Sequence, residues 1–344
     1  MEMEEKKEEE EKKEENEKKV DENNIGNNVE NNINNINNIN NNISINHLKN
    51  NRKLKMCCLT WNMHGLLPNQ QEVQKLLNPH KNYDIYAIGS EECLRSIFKS
   101  LFYSDKTEWE TRLQNYFGNN YVLIASETLC AIHLVIFVRS TLIKDVSKVK
   151  VNTVKTGAKN LLGNKGAVGI CFNIFNLSLM IINCHLAALQ GRSEQRNIDF
   201  ERCVTQMNSN YKSFDFIILM GDLNYRLNNL NIDMNRIQNE HLLFLNYDQL
   251  KNEKNLKRLN ILGFHEGEIY FKPTFKYWNN TSNFQYIDTH DIDQAPAWTD
   301  RILYKKNETG NNILDVKQEK YDSMHYIEMS DHKPVYSYFT LNFI

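Results

Sequence analysis

Residues 214–226 read FDFIILMGDLNYR. Apart from Asp215, the run as far as Met220 is apolar and rich in bulky side chains. It is too short for an ordinary helix and is closed by a glycine, so it reads as a strand. The strand stops at Gly221, and Asp222 and Asn224 follow. A carboxylate and an amide at the rim of a buried sheet sit where a rigid core can fix reactive groups.

Working outward, the same pattern recurs. LKMCCLTW (54–61) runs into Asn62, YDIYAIGS (83–90) into Glu91 and Glu92, and LSLMIINC (177–184) into His185. Asp331 and His332 stand directly before PVYSYFTL (334–341). Residues 121–126, 132–139 and 168–175 add further strand-like runs, while residues 105–116, 193–207 and 235–250 read as helices, the second with Ser193 as its N-cap. Strands interleaved with helices, with no Pro/Gly/Ser linker between them, predict one α/β domain with packed sheets over residues 53–344.

Residues 1–50 differ. The first 22 hold twelve Asp+Glu and six Lys, and Asn fills fourteen of residues 23–46. Neither segment has an apolar stripe with which to dock, so the tail is expected to be disordered. The tail carries a net charge of −6 out of −2 for the whole chain, which leaves +4 on the remainder. That mild excess suits an anionic small substrate better than a nucleic acid, which is not expected as a partner.

The chain has 344 residues, 41% of them hydrophobic, which suffices for a sizeable core and excludes a fully disordered or collagen-like chain. Seven Cys, none in a Cys-x-x-Cys pair, lie mostly in apolar runs, as reduced thiols in a core do. That points to a reducing compartment, and cytoplasmic localisation is expected. No signal-peptide pattern, eighteen-residue apolar stretch or lipidation motif is present, so any membrane contact is expected to be peripheral.

Taken singly, each Asp or Asn after a strand reads as a turn or cap residue, and each His as a hydrogen-bonded structural group. Glu91 reads as a solvated neighbour of Glu92. Taken together, the set suits metal-assisted hydrolysis of a phosphate ester. Asn62 and Glu92 are hard oxygen ligands for Mg²⁺. Asp222 and Asn224, two apart on an extended segment, would share one side, the first accepting a proton from water and the second donating to a phosphoryl oxygen. His185 and His332 would neutralise the charge on the transferred group, each with an orienting carboxylate drawn from Asp331 and Asp300. No Cys-x5-Arg segment supplies a thiolate nucleophile.

The segments TWNMHG, GSEE, GNKGAVGI, NCHLAA, GDLNYR, PAWTDRIL and SDHKPV occur in this order from residue 60 to residue 335. Together they resemble the signature blocks of the inositol polyphosphate 5-phosphatases, within the endonuclease/exonuclease/phosphatase superfamily. The resemblance implies a four-layer α/β sandwich, two central mixed sheets flanked by helices, behind the disordered tail. It also implies Mg²⁺-dependent removal of the 5-phosphate from phosphoinositides or soluble inositol polyphosphates. By motif match, Asn62 and Glu92 would hold the metal, Asp222 would activate water and Asn224 would donate to the transition state. His185 would hold the scissile phosphate with Asp300 behind it, and Asp331 and His332 would complete the site. Asn164, Lys165, Arg226, Lys276 and Tyr277 would bind substrate.

One departure stands out. Where such proteins usually carry a Lys-Arg pair before PAW that recognises a neighbouring 4-phosphate, this chain has Ile292, Asp293, Gln294 and Ala295. Weaker selection for a 4-phosphate is expected, or its recognition by Lys276 alone. Leu161 and Leu162, set among Gly157, Gly163 and Gly166, are candidates to dip into a membrane with help from Leu66 and Leu67. Two alternatives remain open at this point: another superfamily phosphodiesterase, such as a nuclease or sphingomyelinase, and an inositide-binding scaffold without turnover.

Overall fold

Long apolar runs with little polar alternation belong in strands covered on both faces, and the structure shows that arrangement. The computed structural model describes residues 52–94, 105–157, 162–209, 211–228, 234–255, 263–310 and 312–344. The expected disordered tail and Leu161 lie outside these residues, as does the side chain of Leu162.

Among the described residues, twelve strands form two six-stranded sheets. The first contains β1 (Arg52–Asn62), β2 (Ile85–Glu91), β3 (Tyr121–Leu129), β4 (Ile132–Arg139), β11 (Ile313–Ser323) and β12 (Val335–Phe343), in the order β11-β12-β1-β2-β4-β3. The second contains β5 (Val146–Thr156), β6 (Leu162–Ile174), β7 (Leu177–His185), β8 (Phe216–Asp222), β9 (His265–Glu266) and β10 (Asp300–Lys306), in the order β5-β6-β7-β8-β10-β9. Both sheets are mixed: β1 and β2 run parallel, as do β7 and β8, among antiparallel neighbours.

Alternate residues of each strand point to opposite faces, and this sorts the core into three clusters. Leu54, Met56, Ile85, Leu134 and Ile136 of the first sheet meet Ile170, Leu179, Ile218 and Met220 of the second between the sheets. Cys57, Leu59, Ile88 and Phe137 face outward against α1 (Gln70–Leu77) and α2 (Thr107–Phe117) through Val73, Leu76, Trp109 and Leu113. Met180, Ile182, Ile217 and Leu219 face outward against α3 (Ser193–Met207) through Phe200, Cys203 and Val204. Helix, sheet, sheet and helix make the four layers that the resemblance implied.

Local chemistry sets the helix ends. Asn69 caps α1 with a full capping box, its side chain accepting from Gln71 and Glu72 while Glu72 reaches back to its backbone. Ser193, expected as the N-cap of α3, is instead its first helical residue, and Arg192 occupies the cap position. The single helix expected over 235–250 is broken into α4 (Ile237–Phe244), kinked at Glu240, a short 3-10 turn and α5 (Gln249–Asn255). The break follows from Asp248, which is extended and fully buried, caps Lys251 N at 2.9 Å and binds Arg301 Nη1 at 3.0 Å. A short helix, α6 (Tyr286–Thr289), completes the set among the described residues.

Strands β5 and β11, which the apolar pattern did not reveal, are the outermost strands of their sheets and are largely exposed. Lys148, Lys150 and Lys155 on β5 are the kind of charge that keeps an open edge from pairing with another chain. Gly221 has φ +133, and a Cβ there would lie 1.9 Å from Cys184 O. Only glycine lets β8 approach β7 this closely just before Asp222.

Candidate active site

Register brings the polar strand ends together. His185 of β7 pairs with Asp222 of β8, which pairs with Asp300 of β10, so one row across the second sheet carries an imidazole and two carboxylates. On the first sheet Asn62 pairs with Glu91, and Glu92 follows with φ 50, where the chain turns out of the strand. The two rims meet where Asn62 Nδ2 donates to Asp222 Oδ2 at 3.0 Å. Ser330, donating to Asn62 O at 2.7 Å, and Trp61 Nε1, donating to His332 O at 3.1 Å, bring in the loop before β12.

Asp222 is the centre. Its Oδ2 lies 3.2 Å from His185 Nε2 and 4.0 Å from His332 Nε2, and its Oδ1 accepts from Asn224 N at 3.0 Å. Burial disfavours its charge, yet the His185 hydrogen bond and the positive character of His185, His332 and Lys165 hold it well below the usual carboxylate range. Asn224 does not follow the extended path expected from the sequence. Its φ is 56, and the Asp222 side chain closes an Asx-type turn onto it. Its amide donates to Leu186 O at 3.2 Å, and its Oδ1 accepts from Arg226 Nη2 at 2.7 Å.

The orienting partners differ from expectation. Asp300 Oδ2 lies 2.9 Å from His332 Nδ1 and also accepts from Thr274 and Thr299, so it stands behind His332 and not behind His185. Burial opposes a charge on His332, but Asp300 foremost, with Asp222 and Asp331, raises its pKa to about 10. Asp331, adjacent to His332 in sequence, binds His64 Nδ1 at 3.2 Å and lies 4.0 Å from Lys276 Nζ. His185 Nε2 instead contacts Lys165 Nζ. Burial and the Lys165 charge lower the pKa of His185, while burial brings that of Lys165 down to about 8.

Two further expectations are corrected. Glu91 is fully buried and not solvated: it accepts from Thr60 Oγ1 at 3.1 Å, and burial, together with Asp300 and Asp222, raises its pKa well above the ordinary value. As the last residue of β2 it faces between the sheets. Tyr277 is buried and turned away from the site, its hydroxyl donating to Pro273 O at 2.6 Å and its ring packed on Phe284. Its neighbour Lys276 does reach the site. Arg226 is buried with its guanidinium 4.2 Å from the Phe275 ring centre, donating to Asn224 and to Asp293 O.

The structure also adds residues that the sequence reading did not select. His64 lies within the TWNMHG block, so a signal was present. Thr299, which with Thr274 holds Asp300, likewise lies within the PAWTDRIL block, whereas Thr274 and Arg196 have no local signature. A cleft of about 440 Å³ opens beside Lys165, lined by Asn164, Ala187, Leu189, Arg192 and Gln195 among others.

As to a cation, atoms of Asp222, Asp300 and His332 lie within 4.8 Å of one another, but the tightest contact of that trio is the His332–Asp300 hydrogen bond. The Glu92 carboxylate and the Asn62 amide oxygen, which keeps a lone pair beyond the one taken by His64 N, are hard oxygen donors of the type that a divalent ion takes.

Residues 59–338 match the family model for Endonuclease/Exonuclease/phosphatase family 2. The chain belongs to this family. Among curated relatives, phosphatidylinositol polyphosphate 5-phosphatase type IV of Mus musculus is 30% identical over 313 residues, covering 84% of this chain and 46% of that protein. Type II inositol 1,4,5-trisphosphate 5-phosphatase of Mus musculus is 32% identical over 301 residues, covering 82% and 29%. The chain thus spans less than half the length of these relatives. A crystal structure of the inositol polyphosphate 5-phosphatase domain of SPsynaptojanin, in complex with inositol (1,4)-bisphosphate and calcium ion, superposes with a TM-score of 0.73 at 25% identity, covering 89% of this chain and 90% of that one. Cimex nitrophorin in a ferrous NO complex shares the fold of this family member at a TM-score of 0.64 and 19% identity, covering 84% of this chain and 99% of that one. The same fold therefore carries unrelated chemistry, and function has to be argued from the site.

Proposed function

We propose that this family member is a Mg²⁺-dependent inositide 5-phosphatase, hydrolysing the 5-phosphate of phosphoinositides or soluble inositol polyphosphates by in-line attack of water. The observation that carries the reading is the convergence on Asp222 of Asn62, His185 and His332, with Asp300 behind the last. Relatives named as 5-phosphatases of this substrate class, and the inositol bisphosphate in the similar synaptojanin domain, support it.

Glu92 and Asn62 would hold the cation, which supplies charge neutralisation to the phosphate and acidity to bound water. The remaining work falls to side chains of the chain itself. Asp222, held ionised, accepts the hydrogen bond that orients the attacking water and takes its proton. His332, protonated and steered by Asp300, donates to a phosphoryl oxygen, and so is not the base. Lys165 and His185 offer positive charge and a donor on the other side of Asp222. Asn224, of whose two amide hydrogens one goes to Leu186, has the second for the developing charge.

The segment before Pro296 supports reduced weight for a 4-phosphate. Asp293 Oδ1 accepts from Gln190 N at 2.8 Å, and the Gln294 amide donates to Asp291 at 2.9 Å, so both side chains serve local structure. Gln294→Arg is expected to lower KM for a 4,5-bisphosphate headgroup severalfold. An unchanged KM refutes that part. Cytoplasmic localisation with peripheral membrane contact fits the seven free cysteines and the absence of any described helix long and apolar enough to span a membrane. Leu66 is exposed beside the site, while Leu67 packs partly into the core.

The test is phosphate release from a panel of lipid and soluble inositides, with Mg²⁺ and with chelator. Release that needs Mg²⁺ and falls by about 10³ in Asp222→Asn is expected. Binding without turnover, unaltered by Asp222→Asn, would instead make the chain a scaffold, and cleavage of abasic DNA would make it a nuclease.

A further inference from the structure

Arg196, in the first turn of α3, is fully buried, yet among the described residues no carboxylate lies within ion-pair distance of it. Its charge is met by carbonyl and amide oxygens. Nη1 donates to Ala187 O at 3.0 Å and to Leu189 O at 2.8 Å; Nη2 donates to Gln190 O at 3.2 Å and to Gln249 Oε1 at 2.6 Å. Gln249 Oε1 in turn accepts from Arg226 N at 2.9 Å. Arg226 holds the Asn224 side chain, and Asp293 ties back to Gln190 N.

One guanidinium thus binds one loop directly and a second through Gln249. The first, 187–190, follows His185 and forms one wall of the cleft beside Lys165. The second, 223–226, follows Asp222 and carries Asn224. Taking a charge out of water without a counter-ion is costly, and where only packing was needed an apolar side chain would serve better. The planar fork meets four acceptors at once, which a lysine ammonium cannot do.

We propose that Arg196 is a positioning residue for the hydrolytic reaction, which fixes the cleft wall directly and aligns Asn224 through Gln249 and Arg226. This rests on the 5-phosphatase reading. Two branches give two signatures. Loss of the wall weakens substrate binding and appears in KM. Loss of the Gln249 branch misaligns Asn224 and appears in kcat.

The experiment compares steady-state phosphate release by the full chain, Arg196→Lys and Gln249→Leu, on whichever inositide the parent hydrolyses, with folding checked by circular dichroism. Misplacement of about 1 Å at a reacting centre costs up to about a hundredfold in rate, so Gln249→Leu is expected to lose about tenfold to a hundredfold in kcat with KM within about twofold of the parent. Arg196→Lys is expected to lose as much in kcat and to raise KM severalfold as well. Folded variants with parental kcat and KM, whatever their melting midpoints, would overturn the proposal, as would failure of both variants to fold, since Arg196 would then serve structure alone. A parent that releases no phosphate from any inositide would overturn the 5-phosphatase reading itself, and this proposal with it.

Discussion

Asp222 and Asp300 sit opposite each other in one register pair yet do different work. Both are buried, but Asp222 meets Asn62 and His185, whereas Asp300 places Oδ2 against His332, Thr274 and Thr299. Asp222→Asn keeps the shape but cannot accept a proton, and kcat is expected to fall by about 10³ with little change in KM, as read from initial rates. Asp300→Asn removes the main charge that holds His332 protonated. The His332 pKa then falls from about 10 toward the ordinary imidazole value of about 6.5, and the loss of the cation on raising pH occurs earlier. The alkaline limb of kcat/KM against pH is expected to move to lower pH; an unmoved limb would show that His332 does not act as the cation.

The start of β10 and the residue before α5 are joined by a buried ionic cluster. Arg301 donates to Asp248 at 3.0 Å and to Glu266 of β9 at 2.7 Å, and Tyr321 of β11 also donates to Glu266. Asp248→Ala leaves Arg301 paired with Glu266 but removes the cap on Lys251 N and the buried hydrogen bonds from Arg301 Nη1, so it is expected to cost about 1–3 kcal/mol in a urea unfolding experiment. This cluster also shows where the sequence was readable. The PAWTDRIL block marked the segment as functional, but β10, which begins within it, went unread as a strand because both of its ends are charged, at Asp300 and Arg301 and at Lys305 and Lys306. β5 and β11 went unread because these two edge strands are mostly exposed and carry few buried apolar residues. The central strands, by contrast, were legible as apolar runs because both of their faces are covered. Helix ends were less legible, since Asp248 stops the 235–250 helix through contacts to a residue 53 positions away.

Across the whole molecule, pH dependence of stability is set by buried groups outside the site as well as within it. His80 and His325 are each held near pKa 4, chiefly by burial, against about 6.5 in the unfolded chain. The unfolded state binds more protons between these values, so their contribution is fully present above about pH 6.5 and is lost as pH falls toward 4. Each is worth on the order of 3 kcal/mol at most. Urea midpoints measured from pH 7 to pH 4 are expected to fall steeply. The fall should be shallower in His80→Gln, whose side chain carries no titrating proton; an identical slope in that variant would remove His80 from the account.

What the sequence by itself determined is most of the strands, the central apolar ones above all, and the side chains at their ends. Both follow from neighbours along the chain: an apolar run, a glycine, then a polar residue where the sheet meets solvent. It also determined the family, through blocks of adjacent residues. Only the tertiary structure decided which of those side chains touch. The Asn62–Asp222 contact spans 160 positions and the His332–Asp300 contact 32, and both depend on sheet register. Which of two neighbours faces the core, as at Glu91 and Tyr277, is likewise set by the pairing of strands and loops. A one-residue slip in register exchanges the faces of a strand, and no local pattern in the chain records that choice.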